Sequence, residues 1–333
     1  MKKLTFIMML AVVVLMAGSR VTTARTDAQT STDLLQLLPD GNIVAVIDIQ
    51  RMTTSSLWAT LSTQPKVKST LDKMQSDISE IGVSLSDIQT VALVFAGKDL
   101  SGPTVAVTGG FDQTSLLNHL RSNQKIKLTS EKYKNYDVYK VDSAPPPPPS
   151  GDGAKAGVPA PQRKPDDTSF FFYDSKTAVV GSAASVRASV DTKAGTRPSV
   201  AQNAKLAEAL AQNASAVIRF AINMTPAMAN GLSSSQLPIP DFSSVNLIFG
   251  AIDVASGVDV NAILRNDTAD HAKSVAERLN GLLMMVKGYL TSVSDPKMSA
   301  VSEALKSVSI VGNDIDVKIT ASLPQEFFVQ VLK

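Results

Sequence analysis

VNLIFGAIDVASGVDVNAILRNDTADHAKSVAERLN, residues 245–280, is the stretch that decides how the chain is read. An apolar strand, a turn at Ser256-Gly257, a second strand and a helix follow one another. Residues 88–122, IQTVALVFAGKDLSGPTVAVTGGFDQTSLLNHLRS, run through the same series with the turn at Ser101-Gly102. Asp112 and Thr114 in one copy, Asp267 and Thr268 in the other, supply side-chain oxygens that cap helix N-termini. ALVF (residues 92–95) and NLIFGAI (residues 246–252) are almost continuously apolar, which predicts strands covered on both faces.

The match extends outward on both sides. NIVAVIDIQ (residues 42–50) parallels SAVIRFAIN (residues 215–223), each an apolar strand followed by a helix. VVGSAASVRASV (residues 179–190) parallels ITASLPQEFFVQVL (residues 319–332), each a strand followed by a helix. The expected fold class is α+β, with two similar β-α-β-β-α-β-β-α halves whose mainly antiparallel sheets are covered by helices. The first half is placed at residues 33–212 and the second at 213–333. The boundary falls in or after PSVAQNAKLAEALAQ (residues 198–212), read as one Ala-rich helix.

SAPPPPPSGDGAKAGVPAPQRKPDD, residues 143–167, interrupts the first half. YDVYKVD (residues 136–142) before it and TSFFFYD (residues 168–174) after it alternate or concentrate aromatics as strands do. TAVVG (residues 177–181) follows as another strand. The tract is therefore expected to be a disordered insertion between consecutive strands, in part polyproline II, and not a linker between domains. A protein partner reading this Pro-rich loop is one expected contact.

Two helices show apolar stripes at three- and four-residue spacing. One runs through Val67, Leu71, Met74, Ile78 and Ile81; the other through Val275, Leu279, Leu282, Val286 and Leu290. Both are expected to pack on sheets. Met284 and Met285 are read as core filler, with an adaptable ligand surface as the alternative. A lipid or other apolar ligand would lie between the sheet and the helix that spans His271 to Leu290. VSIVGNDIDVKITA (residues 308–321) reads as a hairpin turning near Gly312-Asn313.

The first residues set the compartment. Lys2 and Lys3 precede an uncharged apolar run at residues 4–17, shorter than the roughly twenty residues of a membrane span. A signal peptide of residues 1–24 is expected, with cleavage after residue 28 as the other site. Only an uncleaved segment would hold the chain at a membrane. Ser19 in LMAGS stands where a lipoprotein signal needs cysteine. Export to the periplasm or beyond follows, with the Lys-Lys start of a bacterial signal.

The chain has no cysteine, so its core alone must hold it in an oxidising compartment. Thiolate chemistry and thiolate zinc sites are excluded. The full chain carries a net charge of +2. Cleavage after Ala24 removes Lys2, Lys3 and Arg20, leaving 29 basic against 30 acidic residues. Without a basic run, nucleic acid is not an expected partner.

No catalytic, cofactor-binding or metal-binding residue is assigned. His119 and His271 stand on corresponding helices, and Asp267 lies one turn before His271. Two ligands fall short of a zinc site, so capping and surface roles are expected. Gly-x-Ser-x-Gly and phosphate-loop motifs are absent from the sequence. Ser-x-x-Lys at Ser122/Lys125 and Ser294/Lys297 is no denser than chance. Asp253, Asp259, Asp314 and Asp316 sit near turns without calcium-loop spacing and are read as charges guarding strand edges.

The chain resembles a group of bacterial exported proteins of unknown function. The resemblance lies in Pro39 and Asp40 ahead of an apolar strand ending at Asp48, then in residues 179–182, Ser199 and Asn203. It implies fold and export, and no catalytic residue. The expected function is that of a non-enzymatic exported or cell-envelope protein binding a protein partner or apolar ligand. The alternative is a hydrolase or other enzyme with a site built from Asp, Glu, Ser or Lys.

Overall fold

The computed structural model describes residues 33–95, 102–124, 126–143, 168–233, 242–292 and 295–332. The first half supplies strands β1 (Ile43–Asp48), β2 (Ile88–Phe95), β3 (Thr104–Gly109), β4 (Ile126–Tyr133), β5 (Tyr136–Ser143), β6 (Thr168–Asp174) and β7 (Thr177–Gly181). The second supplies β8 (Ile218–Asn223), β9 (Val245–Asp253), β10 (Gly257–Asn266), β11 (Ser309–Asn313) and β12 (Asp316–Pro324). All join one sheet in the order β11-β12-β10-β9-β8-β1-β2-β3-β7-β6-β5-β4. Every pairing is antiparallel. The fold class is α+β.

β1 and β8 pair across the expected boundary, Val44 opposite Ala221 and Val46 opposite Arg219. Counted outward from that pair, one wing runs β1-β2-β3-β7-β6 and the other β8-β9-β10-β12-β11. The connections within the two wings correspond. The first wing then continues into β5, expected as a strand at residues 136–142, and β4, which the sequence reading lacks. β4 escapes a period-two reading because only Ile126, Leu128 and Tyr133 of IKLTSEKY are apolar, and as an outer strand it is solvated along most of its length.

The helices are α1 (Ile49–Thr53), α2 (Ser56–Leu61), α3 (Pro65–Ser79), α4 (Gln113–Ser122), α5 (Ala183–Lys193), α6 (Ala204–Ala211), α7 (Pro226–Ser233), α8 (Ala269–Thr291), α9 (Pro296–Lys306) and α10 (Gln325–Leu332), after a short helical stretch at residues 33–37. On one face, that stretch with α5 and α6 covers Val44, Val46, Val94, Phe171, Val179 and Phe249. On the other, α1, α2 and α10 cover Ile47, Val91, Ile218 and Val258, while α4 covers Phe170 and Phe172. Central strands are thus clothed on both sides, as the apolar runs of β2 and β9 predicted.

Some boundaries differ from the expected ones. Residues 198–212 are not one helix: a 3-10 turn, Val200–Gln202, stops at Asn203, whose side chain caps α6. The last hairpin turns at residues 314–315, where Asp314 adopts φ 50°, rather than at Gly312-Asn313. The stripe on α3 is buried at Val67, Met74 and Ile78, but Ile81 lies beyond the helix end and is exposed. The tract at residues 144–167 lies outside the described residues.

Candidate functional site

Three places on the molecule combine functional groups with access. The first is a row of side chains across one end of the sheet. Asp174, Thr177, Thr108, Thr90 and Asp48 stand opposite one another on β6, β7, β3, β2 and β1. Asp48 Oδ1 accepts from the Arg51 backbone N–H at 2.7 Å and caps α1. Arg51 Nη1 donates to the Ser215 carbonyl at 2.5 Å, and Asp253 lies 3.9 Å from its guanidinium. Arg219 is buried beside them, and its Nη1 donates to the Leu210 carbonyl at 3.5 Å. Burial lowers the affinity of the Arg219 guanidinium for its proton, and Asp48 opposes that shift. Burial likewise raises the pKa of Asp253, against the pull of Arg51.

Asp48, Thr90, Arg51 and Arg219 line a hollow of about 10 Å³, room for a single water. Two arginines against two carboxylates leave no net charge for an ionic ligand. This junction ties the wings together; it has no room for a substrate.

The second place is the pair of histidines. His271 Nδ1 meets Asp267 Oδ1 at 2.6 Å, which holds the Asp267 carboxyl below the usual range. Thr268 caps α8 through the His271 N–H. His119 Nε2 meets the Glu80 carbonyl at 3.2 Å, and its ring lies against Gly82, where φ is 81°. Each histidine fastens a helix end. Among the described residues no three His, Asp or Glu side chains gather as metal ligands. Ser122 bonds the His119 carbonyl, while its motif partner Lys125, and Ser294 of the second match, lie outside the described residues.

The four aspartates read as edge guards do other work, Asp314 apart. Arg265 grips Asp316 through two bonds of 2.9 and 3.0 Å and lies over the Phe249 ring. Ser322 Oγ donates to Asp259 at 2.5 Å. Asp253 belongs to the junction. These three lie on inner strands because β10 and β9 are flanked on both sides and β12 is covered by β11. Only Asp314 stands at the sheet margin.

The third place is the outer half of α8. The inner side of its first half packs Ala272, Val275 and Ala276 on Leu264 and Val317. Met284 and Met285, expected in the core, are 72% and 56% exposed, and Tyr289 is 68% exposed. Val286 and Met298 of α9 extend the apolar area. The stripe Val275, Leu279, Leu282 and Leu290 marks the inner side, but Val286, expected with it, is exposed. The same half-helix is apolar on its outer side too, and a stripe search does not register that. Between Gly281 and Leu290, Lys287 is the one charge.

The fold places the chain beside known structures. It resembles TP0453 in a crystal structure of form III, with a TM-score of 0.50, 9% identity, and coverage of 90% of this chain and 96% of that one. Form I of TP0453 gives a TM-score of 0.44 at 8% identity, covering 90% and 95%. At this identity the likeness concerns the fold. No family model matches the chain, and no curated protein matches it.

Proposed function

We propose that the protein is a non-enzymatic, exported component of the cell envelope that binds a protein partner through the outer side of α8 and the adjoining α9. The observation that carries this reading is the exposure of Met284, Met285 and Tyr289 on a half-helix with a single charge. A helix that is apolar on all sides belongs in contact with something. Methionine and tyrosine suit that task, since one adapts in shape and the other offers a large rigid ring with a polar tip.

Export rests on residues 1–24, and the resemblance to exported proteins of unknown function rests on Pro39, Asp40, Asp48, Ser199 and Asn203. The matching wings support an ancestral duplication, with the β4–β5 hairpin added to the first. The packing of Ala272, Val275 and Ala276 on Leu264 and Val317 favours a partner at the surface over an apolar ligand beneath this helix.

A photo-reactive residue placed at Met285 or Tyr289 in the native host tests the reading. A discrete adduct to one protein is expected from both positions, and none from Lys127 on β4. Met285→Lys should abolish the adduct formed at Tyr289 without changing the melting temperature. Absence of any adduct at both positions overturns the proposal. Export is tested separately by the N-terminal residue of the recovered protein, expected at position 25 or 29.

A further inference from the structure

The two margins of the sheet are built differently. β4 carries Lys127, Glu131 and Lys132, the charges with which edge strands discourage pairing. β11, SIVGN, has no charged residue and no proline, and Val311 is 54% exposed. The first wing shows what covers its equivalent position. There β6 is the fifth strand from the junction, as β11 is in the second wing. β5 pairs on it through Tyr139–Phe170, Lys140–Ser169 and Val141–Thr168. Among the described residues no strand stands in that place beyond β11.

The geometry of the edge is self-complementary. β11 and β12 close on a two-residue turn with Asn313 opposite Asp316, so Ile310 and Gly312 direct their backbone groups away from β12. The Ile310 carbonyl indeed turns outward, where Asn280 Nδ2 reaches it at 3.1 Å. That oxygen keeps a second lone pair.

We infer that β11 pairs antiparallel with β11 of a second copy, on a two-fold axis at Val311, so that one sheet runs through both molecules. Ile310 then exchanges backbone hydrogen bonds with Gly312 of the second copy, and the two Val311 side chains meet on the open face. Because only one margin is uncharged, the association closes at two copies and does not grow into a filament. The inference is independent of the partner proposed for α8.

The chain lacks cysteine, so Val311→Cys introduces a single thiol. At the axis the two residues form a non-hydrogen-bonded pair with Cα atoms about 4.5 Å apart, within reach of a disulfide. Mild oxidation is expected to yield a covalent dimer from Val311→Cys and none from Ser130→Cys on β4. Light scattering should give twice the chain mass for the unmodified protein and one chain mass for Val311→Glu. The glutamate faces Lys318 across the hairpin, so the variant keeps its fold, as circular dichroism would verify. An unmodified protein that stays monomeric at its highest soluble concentration overturns the inference. So does a dimer that survives Val311→Glu, since it must use another surface.

Discussion

Asn203 Nδ2 donates to Asp40 Oδ1 at 2.9 Å, joining residues 163 positions apart. Around this bond Pro39 bridges Ser199, the Asp40 N–H donates to the Pro198 carbonyl, and the Val200 N–H donates to the Leu38 carbonyl. Pro39, Asp40, Ser199 and Asn203, four of the residues singled out in the sequence, therefore meet in a clasp between the entry to β1 and the segment leading to α6, while Asp48 lies at the junction with β8. Asn203 also accepts from the Leu206 N–H as the cap of that helix. Losing both roles, Asn203→Ala should cost about 1–2 kcal/mol. Asp40→Ala, on an exposed carboxylate, should cost about 0.5–1 kcal/mol. Urea midpoints of the single and double variants give the coupling between them. Strict additivity would mean that the clasp contributes nothing beyond the cap.

Glycine has opposite meanings in β9 and α8. A Cβ on Gly250 would come within 2.2 Å of the Asn261 carbonyl oxygen, a backbone atom of the paired strand. Gly250→Ala must push β9 and β10 apart and is expected to lose about 1–3 kcal/mol. Around Gly281 and Gly288 a Cβ meets nothing within 4 Å. Gly281→Ala and Gly288→Ala should each add about 0.5–1 kcal/mol by favouring the helix. Thermal unfolding of the isolated protein separates the two classes.

Two aspartates predict opposite responses to acid. Lys134 and Tyr133 bond the Asp191 carboxylate and tie the β4–β5 turn to α5, and the Lys134 bond is the main cause of its lowered pKa. A group depressed in the folded state stabilises above its unfolded pKa, about 3.9, and loses that contribution as pH falls through the folded value. Asp253 is raised by burial, so its ionised form weakens the fold at neutral pH and the penalty fades on protonation. Asp253→Asn should therefore melt higher than the unmodified protein at pH 7, with the gap closing towards pH 3. Asp191→Asn should melt lower at pH 7, and its deficit should shrink over the same acid range. Melting curves at both pH values decide each case.

Much of this architecture is legible in the amino-acid sequence. Apolar runs and the repeated strand-turn-strand series locate β1, β2, β3, β9 and β10, because each buries at least one face under a helix. Asp112 and Thr268 cap their helices as the sequence suggests, where short polar side chains satisfy free N–H groups, and the structure adds Ser182 in the same role. β4 was missed because an edge strand needs little apolar surface. Met284 and Met285 were misplaced because hydrophobicity alone does not say whether the surface that covers a residue belongs to its own chain. The Asp48–Arg51–Arg219 junction was equally hidden, since β1 and β8 are neighbours only in the folded sheet.

The proline tract can be tested against the strands that flank it. β5 and β6 pair directly, with Val141 opposite Thr168, so the chain ends on either side of residues 144–167 already lie together. Phe170 stacks on Tyr139 with ring centroids 5.1 Å apart, and Phe171 is fully buried, which holds the two strands without help from the tract. Replacing residues 145–165 by a short Gly-Ser turn should leave the melting temperature unchanged or slightly higher, since closing a shorter loop costs less entropy. A loss of cooperative unfolding would show that the tract takes part in the fold. A partner that reads the tract would make itself known differently, through lost binding at unchanged stability. Measured on one deletion variant, stability and binding thus separate a spacer from a docking peptide.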